Sequence, residues 1–195
     1  MKNQVTRMTL IQRVKDRMDQ QSWEEFTKFY SPYIMGILNK SGIQYEYVED
    51  LCQDILLRIW KSIESFEYDP AKCKFRTWLG TVCRNCIYNF YERVKKKQNN
   101  VDMDESYLPP KEADINEIIE KEWQVYIAKK AFEKVSKDFN EKALKSYTEF
   151  QKGRDVAEIA KEIDVVENTI YVYHRRVKQA MTREILLLVK ELDWD

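Results

Sequence analysis

Apolar residues recur three and four positions apart along most of the chain, the spacing of one face of an α-helix. Leu10, Ile11, Val14 and Met18 form such a face and predict a short amphipathic helix over Thr9–Met18. Ser22 and Glu25 have the spacing of a capping box and predict the start of a second helix. That helix buries Trp23, Phe26, Tyr30, Tyr33, Ile34, Ile37 and Leu38, and Ser41-Gly42 ends it. A third helix is expected from Glu49 to about Phe66, with Leu51, Ile55, Ile59 and Ile63 inward. Its outer surface carries Asp50, Gln53, Asp54, Leu57 and Arg58. The loop Glu67–Lys74 breaks the pattern at Asp69-Pro70, because proline restricts the residue before it. A fourth helix, Phe75–Val94, has a stripe of Phe75, Leu79, Val82, Cys86 and Phe90, with Trp78 and Cys83 at its edges. Its opposite face holds Thr77, Thr81, Arg84, Tyr88 and Tyr91, with Asn85 beside them.

The pattern then stops. Lys95–Asn100 is polar, and the chain stays polar to about Ile115 with Pro109-Pro110 inside it, which reads as a linker without a buried core. Helical spacing resumes with Ile118, Trp123, Tyr126 and Ile127 and runs on through Ala131, Phe132, Val135, Phe139, Leu144, Tyr147 and Phe150. Gly153 separates this run from a final pair of helices. Asp155 caps the first, with Glu158 completing a capping box and Val156, Ile159, Ala160 and Ile163 on one face. Asp164 sits at a sharp turn, where aspartate tolerates the left-handed conformation. Asn168 and Thr169 restart a helix whose inner face is Ile170, Tyr173, Val177 and Met181. Outward lie Tyr171, Val172, Arg175 and Gln179, flanked by Arg176 and Lys178. Two short helices, a tight turn and a basic second helix are the parts of a DNA-reading helix-turn-helix. The expected architecture is all-α: two small helical domains, 1–97 and 118–195, joined by a linker at 98–117.

Composition narrows the class. The 195 residues are 44% hydrophobic and 34% charged, a balance that suits a soluble globular protein. Only 4 Gly and 4 Pro agree with long helices. The longest apolar run, Ile185–Val189, is far too short to span a bilayer, and Met1–Leu10 has no apolar core for a signal peptide. A cytoplasmic protein without membrane insertion is expected. The formal net charge is zero, which argues against a protein that binds DNA unaided. The charge is segregated, however: Arg58–Lys97 holds most of a basic block and Asp102–Glu122 is acid-rich. That suits local contact with DNA while a partner supplies affinity.

Most of the remaining chemistry has an ordinary reading. Cys83 and Cys86 form a C-x-x-C, but a zinc site needs about four ligands, and the single histidine, His174, lies in the other domain. Burial as small apolar side chains fits better, and no metal or cofactor is expected. His174 reads as a packed or rim histidine. Asp50 and Asp54 lie one helical turn apart but lack a partner set for catalysis, so docking or plain solvation suits them. Nothing resembles a nucleotide-binding glycine loop. The polar and aromatic face of the fourth helix stays open between two readings. It is a surface for single-stranded DNA, with cations on phosphates and rings on bases, or a solvated helix face.

Two separated stretches together resemble a bacterial sigma factor of the extracytoplasmic-function group. Glu49–Trp60 (EDLCQDILLRIW) with Lys74–Asn85 (KFRTWLGTVCRN) is similar to the family's region two. VAEIAKEIDVVENTIYVYHRRVK, starting at Val156, is similar to region four. The order, the linker and the length also fit. The resemblance implies a non-enzymatic initiation factor that binds core RNA polymerase and directs it to promoters. It implies that Asp50, Gln53, Asp54 and Arg58 dock on polymerase. Lys72, Lys74, Arg76, Arg84, Asn85 and Tyr88 would contact the minus-ten element and capture the unpaired non-template strand. Asn168, Tyr171, Arg175, Arg176 and Lys178 would read the minus-thirty-five element as duplex. An anti-sigma factor, common in the family, is a candidate partner to which no residue here testifies. Asp164 stands where the family usually has Gly, and Tyr171 and Val172 stand where it often has basic or small residues, so the usual promoter preference is not carried over. The rival readings are a polymerase-independent helix-turn-helix regulator and a helical adaptor that binds only protein.

Overall fold

The structure, a computed structural model, describes residues 7–16, 19–64, 66, 75–97 and 110–193. Among these residues there are eight α-helices and no strand: α1 (Arg7–Val14), α2 (Gln20–Lys40), α3 (Tyr45–Ser62), α4 (Phe75–Lys97), α5 (Glu112–Val135), α6 (Glu141–Gln151), α7 (Val156–Ile163) and α8 (Glu167–Asp193). The all-α expectation holds. The chain divides into two compact units, one of residues 1–126 with 191–195 and one of residues 127–190. The division falls inside α5, whereas the sequence pattern suggests a linker at 98–117. Residues 98–109 lie outside those described, and 112–117 are already helical.

In the first unit α2 packs on α1, α3 and α4, and α3 packs on α4. Phe26, Tyr33, Ile34, Ile37 and Leu38 on α2 are almost wholly removed from water, as are Ile55 and Ile59 on α3 and Leu79, Cys83 and Ile87 on α4. Burying such side chains stabilises a fold by roughly 1.5–3 kcal/mol each. Aromatic rings fill one end of this core: Phe75 meets Phe26, Tyr30, Phe66 and Trp78 at centroid distances of 6.0, 5.5, 5.7 and 5.4 Å. The cap of α2 differs from the expected box. Asp19, not Ser22, is the N-cap, accepting from the Ser22 amide at 2.9 Å. Hydrogen bonds from Ser22 hold the Asp19 carboxyl below the usual carboxylate range. Gly42, at φ 79°, takes the left-handed turn that ends α2. Helix α3 starts at Tyr45 and stops at Ser62, so it begins earlier and ends earlier than its apolar spacing suggests.

In the second unit α6 packs on α7, and Asn140 caps α6 through the Ala143 amide at 2.9 Å. The long helical run expected from Ile118 to Phe150 is broken here by a 3-10 turn at Ser136–Asp138. Asp155 accepts from the Ala157 and Glu158 amides at 2.9 and 3.2 Å, which begins α7. Asp164 adopts φ 54°, the left-handed conformation expected of it, and its backbone amide closes α7 on the Ala160 carbonyl. Lys142 donates to the Asp164 carbonyl at 3.2 Å. Ile159, Ala160, Ile163 and Ile170 form a small core beneath the turn, with Phe150, Val156 and Val165 packed against it. Arg154 binds Glu149 and Glu162 at 3.0 and 2.8 Å, and Lys145 binds Glu162 at 2.7 Å, so ion pairs tie α6 to α7.

Candidate nucleic-acid interface

The helix pattern of α8 puts a cationic stripe on its outer side. Asn168, Tyr171, Arg175 and Lys178 follow one another at helical spacing, and all four are exposed, as is Arg176. Tyr171 is 53% and Val172 42% exposed. Inward, Ile170, Val177 and Met181 are buried as expected, while Tyr173 is only half-buried. Helix α8 begins at Glu167, a residue or two before the predicted restart. Its first turn closes through the Thr169 amide and the Val166 carbonyl at 2.8 Å. Arg176 points elsewhere, lining an open recess of about 420 Å³ with Arg183, Gln179 and Asn140. Sequence reasoning missed Arg183, although it follows Arg176 at two-turn spacing. His174 packs against Phe150 at 4.2 Å and Tyr147 at 5.6 Å, and its ring lies 3.3 Å from the Gln151 amide nitrogen. Burial, and then the nearby Lys178 charge, lowers its pKa from the ordinary histidine value.

On α3 the positions Asp50, Gln53, Asp54 and Arg58 are all exposed and share one face with Leu57, itself 49% exposed. Asp54 faces Arg93 of α4 at 3.8 Å, a contact the sequence reading did not foresee. A surface of alternating charges around a bare leucine can dock a protein through an apolar anchor and a polar rim.

On α4 the arrangement departs from expectation. Lys72 and Lys74 lie outside the described residues. Arg76 and Arg84 do not face water alone: the start of α5 lies against them. Arg76 donates through Nη1 to both carboxylate oxygens of Glu120, at 3.0 and 2.8 Å, and its guanidinium sits 5.5 Å from the Trp123 ring centre. Arg84 donates to the Asn116 side-chain oxygen at 3.1 Å. Asn85 is exposed and Tyr88 half-buried. Asn85 lies half a turn out of phase with Arg76 at about 100° per residue. So the four described candidates do not form one face. Tyr91, expected on the polar face, is buried and donates to the Ser41 carbonyl at 2.8 Å, and Cys83, expected at an edge, is fully buried. The end of α2 covers Tyr91, and the buried arc of α4 is wider than the single stripe suggests.

The start of α5 also packs on α4, with Ile119 against Gly80, and Ile115 belongs to it. The sequence places Ile115 at the end of a polar linker, yet it is completely buried, as are Trp123 and Tyr126 within a few per cent. Ile115, Ile119, Trp123 and Tyr126 are spaced by one helical turn, and that spacing is the signal that reveals α5's early start. Tyr33 donates to the Ile119 carbonyl at 3.2 Å, and the Tyr126 hydroxyl donates to the Phe29 carbonyl. Burial pushes the Tyr33 hydroxyl pKa well above its ordinary value.

The cysteines behave as core. Cys52, Cys83 and Cys86 are buried thiols. Among the described residues no cluster of histidines, cysteines and carboxylates could hold a metal ion, and no helix is long and apolar enough to cross a membrane.

With this geometry in view, the comparisons with known proteins are specific. The sequence profile of sigma-70 region 2 matches residues 28–97. The extracytoplasmic-function RNA polymerase sigma factor RpoE of Cereibacter sphaeroides is 28% identical over 78 residues, covering 40% of this chain and 42% of that protein. The match therefore spans less than half the length of this curated relative.

Proposed function

The chain belongs to the sigma-70 family, in its extracytoplasmic-function group, and from that premise we propose that it is an alternative sigma factor. It binds core RNA polymerase and directs initiation at particular promoters, with no catalysis of its own. One observation carries the reading: the region 2 match, residues 28–97, falls on the part of the chain that holds α4 and α3, the latter with its exposed polar face. The α3 face of Asp50, Gln53, Asp54 and Arg58 docks on polymerase. On α4, Arg76, Arg84, Asn85 and Tyr88 take the minus-ten element and its unpaired non-template strand, although they are not all on one side of the helix. Lys72 and Lys74, which precede α4 in the sequence, join them. The α8 stripe of Asn168, Tyr171, Arg175, Arg176 and Lys178 reads the minus-thirty-five element as duplex.

The energetics are compatible with this division. Flipping a base out of a duplex costs a few kcal/mol. Stacking on an aromatic ring returns roughly 1–3 kcal/mol per base. Neither face has to bind tightly by itself, because tethering both to one polymerase raises their effective concentration. That also accommodates a net charge of zero. The domain roles follow: the first unit for docking and the minus-ten element, the second, residues 127–190, for the minus-thirty-five element.

The test is binding of the labelled chain to purified bacterial core polymerase without DNA. Tight one-to-one binding is expected, and Asp54→Ala should weaken it. No binding, at concentrations where a known sigma factor binds, would favour the polymerase-independent helix-turn-helix regulator instead.

A further inference from the structure

A second stripe runs along α8. Tyr173, Arg176, Ala180 and Arg183 recur at helical spacing and form one wall of the recess of about 420 Å³. This stripe stands about 150° around the helix from the line of Tyr171, Arg175 and Lys178. A duplex laid along that line leaves the recess open. The facing wall is the start of α6, with Phe139, Asn140 and Ala143. Asn140 caps α6 there through the Ala143 amide at 2.9 Å, so the positive end of the helix dipole opens on the recess.

The recess lacks counter-charge. In the same unit Lys134, Lys145, Lys152 and Arg154 each hold a carboxylate within 3.0 Å. Among the described residues no side-chain ion pair or hydrogen bond reaches Arg176 or Arg183. Asp138 is the one carboxylate of the lining, and it pairs with neither. The two arginines stand two turns apart, about 10.5 Å along the axis, with Ala180 between them. Ala180 on one wall and Ala143 on the other leave the space that larger side chains would fill.

We propose that this recess binds a small nucleoside phosphate, its phosphate held by Arg176 and Arg183 and its base against Tyr173 and Phe139. A guanidinium matches phosphate oxygens with two parallel hydrogen bonds, and the α6 dipole adds attraction of the same sign. Aromatic rings offer the face on which a base stacks. Asp138 is placed to accept from sugar hydroxyls. The volume falls in the usual range for small-ligand pockets, roughly 300–1,000 Å³. The site does not depend on the sigma reading. Arg176 is claimed by both the ligand and the minus-thirty-five duplex, so the test turns on Arg183 and Ala180, which the duplex does not claim.

The full chain is titrated with ATP, with GTP and with inorganic pyrophosphate, and binding is followed by calorimetry. At least one nucleotide should bind one-to-one, about tenfold more tightly than pyrophosphate, because only the nucleotide uses the rings. Arg183→Gln, at an exposed position that leaves folding nearly unchanged, should weaken the nucleotide by about tenfold or more. Ala180→Leu fills the recess with both arginines intact and should weaken it as much. No saturable binding of either nucleotide at millimolar concentration would overturn the site. Equal affinity for pyrophosphate would overturn its nucleoside half, and undiminished binding by either variant would overturn its location. Should Arg183→Gln weaken duplex DNA and leave the nucleotide unaffected, Arg183 is a contact to the DNA backbone and the proposal falls.

Discussion

Arg84 on α4 and Arg175 on α8 look alike in sequence. Each is a cation on the outer stripe of an amphipathic helix, with a tyrosine four residues away. Their surroundings are opposite. Arg175 is exposed beside an exposed Tyr171, whereas Arg84 is half-buried and bonded to Asn116. A helical projection assigns a residue to a side of its own helix and is silent about a helix that arrives some thirty positions later. The α8 stripe is a surface; the α4 stripe is partly an interface, and the chain itself supplies the other half.

The largest effect that separates the two faces is on stability. Ile115→Ala removes a fully buried side chain and should cost about 2–5 kcal/mol. Tyr171→Ala on α8 should change stability by no more than about 0.5 kcal/mol. Thermal denaturation of both variants decides it, and equal losses would mean that α5 is no more integral to α4 than solvent is to α8. Next comes recognition. Arg175→Ala should cost promoter binding about 1–3 kcal/mol at its contacted base pair, with polymerase affinity nearly unchanged. Parallel loss of both in matched assays would erase the functional distinction between α8 and the first unit. A smaller effect concerns the ion pair over α4. A double-mutant cycle on Arg76 and Glu120, read by denaturation, should return about 0.2–1 kcal/mol, the range for pairs with an exposed partner. A coupling of zero would leave apolar packing alone to seat α5.

The smallest effect is on pH dependence in the second unit. Burial lowers the folded-state pKa of His174 below its unfolded value, so the unfolded chain takes up the proton first as pH falls. The contribution of His174 is therefore present above about 6.5 and is lost as pH falls through its folded value. Phe150, Tyr147 and Gln151 face the ring, and Lys178 adds positive charge. His174→Gln should flatten the fall in melting temperature between about pH 7.5 and pH 5.5. An unchanged slope would remove His174 as the source of that fall.

Much of this was legible before any coordinates. Asp155 and Asp164 announce the two ends of α7 through their own chemistry, and the outward residues of α3 and α8 follow from spacing. Ser22 resembles a cap, but Asp19 is the stronger acceptor and stands three residues earlier. Tyr91 looks polar, yet its hydroxyl finds the Ser41 carbonyl, and a satisfied hydroxyl allows the ring to be buried. Ile115 looks like part of a linker because its neighbours are charged. Charged neighbours on a helix cost little when they point outward, and here one of them finds an arginine. For Tyr91 the deciding partner lies fifty residues away, outside any local window, whereas Asp19 and the one-turn spacing from Ile115 to Tyr126 were within reach of one.

The three buried thiols give the first unit a chemical clock. Only a thiolate attacks alkylating reagents, and burial pushes Cys52 up to about 11 and raises Cys83 and Cys86 as well. At neutral pH these sulfurs are silent while the helices stay closed. In a chain with Cys73→Ser, the rate of labelling then counts openings of the α2–α4 core, with no reporter added.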